Sequence, residues 1–236
     1  MRVAVVTGAS SGIGAALCRE LRADGWHVVG LSRRAAPDAD EHEECNVADR
    51  EAVEAVAARV LERHPRIDLL VNNAGIAGRE AYLAARPELV EELVRTNYLG
   101  SVWTLRAFLP GLGPGSHVVN VVSVAGVIAV GPYSASKHAQ LGFSRSIAVE
   151  LAPRGISVHT VNPGFVETPG FPQQGRFPFP LGRLVVDPPF VAARIVDAVR
   201  RDRRELYVPR WYRPVAWIQT FFPGAVARLR ARFGTP

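Results

Sequence analysis

The chain has 236 residues, 48% apolar and 21% charged, enough for one large domain with a full core and too apolar for a disordered one. Its net charge of +6 is local: residues 200–236 carry nine arginines against Asp202 and Glu205, net +7, while residues 1–199 carry −1. A balanced body argues against a nucleic-acid-binding surface, so no nucleic-acid partner is expected.

Cys18 and Cys45 lie far apart and give neither a disulfide framework nor a metal-ligand spacing. They point to a reducing, cytoplasmic setting and to no metal. Arg2–Val6 is a short apolar run that stops at Thr7-Gly8 and reads as a strand, so no secretory signal is expected. Ile13, Ala16, Leu17 and Leu21 then recur at helical spacing, and Gly25 is a natural helix end. Val28–Leu31 is again short and apolar. Asp49–His64 is an amphipathic helix, with Val53, Val56, Val60 and Leu61 on one side and Pro65 beyond its end. Asp68–Val71 reads as a strand, and one long helix is expected from about Glu88 to Leu109. His117–Val122, Ser134–Leu151 and Ile156–Val161 continue as strand, helix and strand. Residues 164–190, with their prolines and Phe165, Phe171, Phe177 and Phe179, read as an irregular lid or pocket wall. A helix over 191–200 and a last strand at Glu205–Val208 follow. Strands apolar at every position are covered on both faces. The pattern predicts an α/β protein: a doubly wound parallel sheet in three α/β/α layers, one domain over 1–208 with a tail over 209–236.

Thr7-Gly8-Ala9-Ser10-Ser11-Gly12-Ile13-Gly14 leaves a strand and opens a helix, the setting of a dinucleotide fingerprint. Gly8 permits the turn, Gly12 admits a pyrophosphate to the backbone, and Gly14 lets helix and strand pack closely. Ser10, Ser11 and Ile13 complete the loop whose amides face the phosphates. A carboxylate at the end of the second strand would bind the ribose 2′-hydroxyl of NAD; here Ser32 stands there, followed by Arg33 and Arg34. An arginine suits a 2′-phosphate, so NADP(H) is expected in preference to NAD(H), which the same cleft can admit.

The segment Tyr133-Ser134-Ala135-Ser136-Lys137 holds the only lysine of the chain. On a helix, Tyr133 and Lys137 lie one turn apart on one face. An ammonium at ~4 Å contributes about 4 kcal/mol at an effective dielectric of ~20. That would hold the phenol up to about three pH units below its usual pKa, close to the range where a general acid–base works best. A compact ammonium also reaches ribose hydroxyls, whereas a planar guanidinium makes a different set of contacts.

The chain resembles the short-chain dehydrogenases/reductases over about residues 3–168, on several motifs in order. Thr7–Gly14 matches TGxxxGxG, and Asn72-Asn73-Ala74-Gly75 matches NNAG. Asn97 sits in Thr96-Asn97-Tyr98-Leu99-Gly100, and Ser123 ends Asn120-Val121-Val122-Ser123. Tyr133 and Lys137 match YxxxK, and Pro163, Gly164 and Thr168 match PGxxxT. The resemblance implies a Rossmann fold, a nicotinamide cofactor and an Asn97–Ser123–Tyr133–Lys137 tetrad. It also implies that Asn46 and Val47 lie near the adenine, and that Asn73, Ala74, Gly75, Pro163, Gly164, Val166 and Thr168 bind the cofactor. In that scheme Tyr133 donates a proton while a hydride reaches a carbonyl carbon, Ser123 bonds the substrate oxygen, and Asn97 holds a water linked to Lys137. A homodimer or homotetramer through the two long helices is implied too.

Two departures stand out. Ser123 and Tyr133 are ten residues apart, shorter than the family's usual spacing, so the pocket wall at Val124–Pro132 is short. Asn46-Val47 replaces an Asp-Val pair, and asparagine can still accept from an adenine amino group. The expected activity is an NADP(H)-dependent oxidoreductase interconverting a ketone or aldehyde and an alcohol on an apolar small molecule. The alternatives are a 3-oxoacyl thioester reductase, whose basic tail would meet an acidic carrier protein, and a non-catalytic NADP-binding regulator. The aromatic, arginine-rich tail is too short to span a bilayer. It fits docking on the body or a partner subunit, cover for the pocket, or peripheral membrane contact through 209–236.

Overall fold

The computed structural model describes residues 1–128, 131–173 and 185–233. Its elements run β1 (Arg2–Thr7), α1 (Gly12–Ala23), β2 (Trp26–Ser32), β3 (Glu41–Glu44), α2 (Arg50–Arg63), β4 (Leu69–Asn72) and α3 (Pro87–Leu93). They continue with α4 (Gly100–Phe108), β5 (His117–Val121), α5 (Gly131–Leu151), β6 (Ser157–Pro163), α6 (Pro188–Arg200), β7 (Glu205–Val208), α7 (Tyr212–Phe221) and α8 (Pro223–Phe233). One seven-stranded sheet has the order β3-β2-β1-β4-β5-β6-β7, and every pairing is parallel.

Alternation along each strand sorts the core into two halves. Ala4, Val6, Leu69, Val71, Val119 and Val121 face α1 and α6, where they meet Leu17, Leu21, Ile195 and Val199. Their neighbours Val3, Val5, Leu70 and Val118 face α2, α4 and α5, and pack with Val53, Val60, Phe108 and Ile147. Both faces are apolar because both are covered.

Three features differ from the sequence expectation. β3, Glu-His-Glu-Glu, has no apolar residue; it forms by pairing with β2 from Val29↔Glu41 to Ser32↔Glu44. Its glutamates are held by α2, with Glu43 bonded to Arg59 and Arg63 at 2.8 and 2.7 Å. The expected long helix from Glu88 is interrupted between α3 and α4 by a π-helical segment, Val94–Leu99, which carries Asn97. α5 starts at Gly131, before Ser134. Phe177 and Phe179 of the expected lid lie outside the described residues.

Candidate active site

The strand order reverses between β1 and β4, the place where ligands bind in a doubly wound sheet. Two loops leave the carboxyl ends there. The first, Thr7–Gly14, enters α1 so tightly that a Cβ on Gly14 would lie 2.1 Å from the Gly8 carbonyl oxygen. Ser11 is the N-cap of α1 but makes no side-chain cap hydrogen bond, so the first-turn amides are presented for an anion. The second loop, Asn72–Gly75, is bonded to the first. Thr7 Oγ1 accepts from the amides of Asn73 and Ala74, each at 3.0 Å, and Asn73 Nδ2 donates to the Thr7 carbonyl at 2.9 Å.

The loop after β6 closes the cleft from the other side. Gly12 has φ +57, and a Cβ there would lie 3.1 Å from Thr168 Cγ2. Pro163 ends β6, Gly164 follows, and Val166 is buried beyond it. At the end of β2, the buried Ser32 hydroxyl donates to the Arg34 carbonyl at 2.6 Å, leaving the Arg33 and Arg34 side chains exposed. Asn46 is exposed, and its Oδ1 already accepts from the Ala48 amide at 3.2 Å. Val47 packs under Gly100, where a Cβ would lie 2.9 Å from Val47 Cγ2. The uncapped helix start and the glycine cradle together fit the pyrophosphate of a dinucleotide.

The four tetrad residues come from three segments. Ser123 follows β5; its Oγ accepts from the Ala125 amide at 3.1 Å, and its hydroxyl stands next to the Tyr133 phenol. Tyr133 and Lys137 lie on α5. That helix is fixed to the sheet by a buried polar chain: Asn72 Nδ2 donates to Asn120 Oδ1 at 2.8 Å, and Asn120 Nδ2 to Ser144 Oγ at 2.9 Å. Ser144 then shares a hydrogen bond with Thr160 Oγ1 at 2.7 Å. Asn97 is fully buried and works as a clamp. Its Oδ1 accepts from the Ile76 amide at 2.8 Å, and its Nδ2 donates to the Ile76 carbonyl and to Ser136 Oγ, each at 3.0 Å.

A residue absent from the motif reading that bonds to Lys137 is Gln140, one turn beyond it and fully buried. Lys137 Nζ donates to Gln140 Oε1 at 2.8 Å and to the Val121 carbonyl at 3.1 Å. Gln140 Nε2 donates to Ser101 Oγ at 2.9 Å, and Ser101 Oγ donates to the Asn97 carbonyl at 3.3 Å. The lysine is thus connected to the π-helical segment through side chains. No sequence signal marked Gln140, because the buried face of α5 also carries Ser134, Ser136, Lys137 and Ser144.

Burial pushes the Lys137 ammonium down to about 7. It pushes the Tyr133 phenol above its ordinary value, and the Ser123 hydrogen bond offsets this in part. The expected depression of Tyr133 is therefore not what the protein alone produces. Desolvation dominates both groups, and the lysine directs two N–H groups at neutral acceptors.

Phe171 stands beside Tyr133, with ring centroids 6.4 Å apart, and the Arg79 guanidinium lies over the Phe171 ring at 4.6 Å. Arg79 also donates to the Pro172 carbonyl at 2.6 Å. Phe165 instead packs edge-on against Tyr212. Of the lid phenylalanines among the described residues, Phe165 and Phe171, it is Phe171 that is placed at the phenol.

A Rossmann sheet with a phosphate cradle at its switch point, and a serine–tyrosine pair beside a buried lysine, define a nicotinamide-dependent oxidoreductase of carbonyls or alcohols. The family model for short chain dehydrogenase matches residues 2–176, and the chain belongs to that family. A protein of Streptomyces virginiae, whose name assigns it provisionally to ketoacyl reduction by the monensin polyketide synthase, is 41% identical over 189 residues, covering 71% of this chain and 72% of its own. The 3-oxoacyl-[acyl-carrier-protein] reductase FabG of Escherichia coli is 35% identical over 182 residues, covering 71% and 74%. A short-chain dehydrogenase of Burkholderia cenocepacia, solved in complex with NADP, superposes with a TM-score of 0.76 at 28% identity, covering 84% of this chain and 90% of that one.

Proposed function

We propose that this oxidoreductase uses NADP(H) to interconvert a ketone or aldehyde and the corresponding alcohol on an apolar small molecule. The observation that carries the reading is the placement of the Ser123 hydroxyl next to the Tyr133 phenol, on a helix that also buries Lys137 one turn away. The proposed cradle comprises Gly8, Ser10, Ser11, Gly12, Ile13, Gly14, Asn73, Ala74, Gly75 and Thr168, with Arg33 and Arg34 for a 2′-phosphate. A reduced nicotinamide held there supplies a hydride to a carbonyl carbon. Ser123 Oγ donates to the substrate oxygen and fixes its position. Tyr133 Oη gives its proton to that oxygen, completing the C–H and O–H bonds of the alcohol, and the phenolate is reprotonated from solvent. A phenol is protonated at neutral pH, as a donor must be, and an ammonium at Lys137 stabilises the phenolate that forms. Asn97 acts through Ile76 and Ser136 by holding the loop and α5 in place, and its carbonyl accepts from Ser101 on the path from Gln140. Phe171 supports an apolar substrate.

The Streptomyces virginiae and Escherichia coli relatives favour a second reading, a 3-oxoacyl thioester reductase on the same site. The tetrad gives no support to a non-catalytic regulator, which needs no proton donor. NADPH consumption across soluble ketones, aldehydes and carrier-linked 3-oxoacyl thioesters separates the readings. Turnover of free carbonyls supports the first, turnover confined to carrier-linked substrates supports the second, and none anywhere overturns both. A homodimer or homotetramer through α4 and α5 is part of the proposal, and light scattering tests it.

A further inference from the structure

We propose that α7 and α8 form a docking face for an anionic phospholipid surface. Of this segment, α7 uses Tyr212 and Ala216 to pack on the body, and both are buried. Trp211, Val215, Trp217, Ile218, Phe221, Phe222 and Leu229 remain exposed, Phe221 at 71% and Phe222 at 62%. Within α7, Val215, Ile218 and Phe221 follow at intervals of three and share one side, with Trp217 next to it, while Trp211 and Phe222 flank the helix at its two ends. Isolated surface apolar groups are ordinary, but aromatics gathered on one short segment mark an interaction surface.

Charge identifies the partner. From residue 206 to the end the sequence has Arg210, Arg213, Arg228, Arg230 and Arg232 and no carboxylate side chain. Arg213 lies over the Trp217 ring at 4.8 Å, so cation and aromatic form one surface. An isologous contact with a second copy would oppose these arginines to themselves. Docking on the body leaves the aromatic face uncovered, as the structure shows. Helices of ten and eleven residues are too short to cross a bilayer, and no described helix is long and apolar enough to do so. An interface of acyl chains under anionic headgroups takes both the aromatics and the guanidinium groups.

The face is joined to the catalytic cleft. A Cβ on Gly164 would lie 1.9 Å from Tyr212 Cε2, and the Phe165 amide donates to Tyr212 Oη at 3.4 Å. The loop after β6 therefore rests on the helix that would lie on lipid, and the cleft stands beside a source of apolar substrate. This last consequence rests on the reductase reading; the docking itself does not.

Vesicle co-sedimentation of the full chain tests it. The protein is expected to pellet with phosphatidylglycerol-containing vesicles and much less with phosphatidylcholine alone, and raised salt should release it. The double variant Phe221→Glu/Phe222→Glu should weaken binding at least about tenfold. Arg228→Gln should weaken it about fivefold. Both should keep wild-type melting and wild-type reduction of a water-soluble carbonyl. Absence of pelleting, or pelleting unchanged in both variants, would overturn the proposal. So would capture of an acidic acyl carrier protein without vesicle binding, or a change of oligomeric mass in the double variant without a change in vesicle binding.

Discussion

Replacing Gln140 by leucine removes the side-chain acceptor of the Lys137 ammonium and leaves the side chain's volume nearly unchanged. The bond is 2.8 Å long and both partners are buried, so water does not replace it. A hydrogen bond to a charged group contributes about 1.5–3 kcal/mol. At about 1.4 kcal/mol per tenfold change in proton affinity, its loss moves the titration of Lys137 by about one to two pH units. The direction follows from what is lost: an acceptor that favours the ammonium. Lys137 therefore gives up its proton at lower pH than in the parent, where burial already places it at about 7. Carbonyl reduction needs the ammonium, so kcat/KM should fall on the alkaline side, and in Gln140→Leu that fall should begin about one to two pH units earlier. Gln140→Glu puts a carboxylate at the same point and should move the fall the other way. A pH profile of NADPH consumption with each protein, alongside its melting curve, makes the comparison. A glutamine that only filled space would lower stability and rate in both variants and leave the alkaline limb in place. Coincident limbs in all three proteins would refute the reasoning.

Arg33→Ala and Arg34→Ala should each weaken NADPH binding by about tenfold or more while leaving NADH binding nearly unchanged, since only the 2′-phosphate is lost as a partner; fluorescence titration with both cofactors checks this. Gly14→Ala brings a methyl group within 2.1 Å of the Gly8 carbonyl, so α1 must move off the strand. We expect a loss of about 1–3 kcal/mol in stability and weak cofactor binding, read by denaturant unfolding and NADPH titration. Lys137 falls from 10.5 to about 7 on folding, so between these values the unfolded chain holds more of its proton. Its contribution to the unfolding free energy therefore rises with pH in that window, by at most about 1.4 kcal/mol per pH unit. Lys137→Met should remove that rise in urea unfolding across the window, and an unchanged slope would contradict the burial argument.

Most of the sheet was legible because strands covered on both faces are apolar runs, and the helices between them repeat at helical spacing. β3 was not legible: Glu41–Glu44 has no strand propensity, and only pairing with β2 and bonds from Arg59, Arg63, His27 and His64 make it one. The π-helical segment was hidden because a single widened turn inside a helix has no residue signature of its own, although it is what seats Asn97. The tetrad and glycine loops were readable as motifs, since their chemistry demands particular residue types. Gln140 was not, because a glutamine after the YxxxK pattern looks like any helix residue until its depth is known. The tail showed its composition but not its division into a buried Tyr212 and Ala216 and an exposed aromatic face.

The proton donor is the centre of the account, and Tyr133→Phe tests it with least ambiguity. The variant deletes one hydroxyl and leaves the glycine cradle intact. Measured together, its turnover on the best carbonyl substrate should fall by roughly 10²–10⁴ while its affinity for NADPH stays near that of the parent. Near-normal turnover in a variant that still binds NADPH would contradict it.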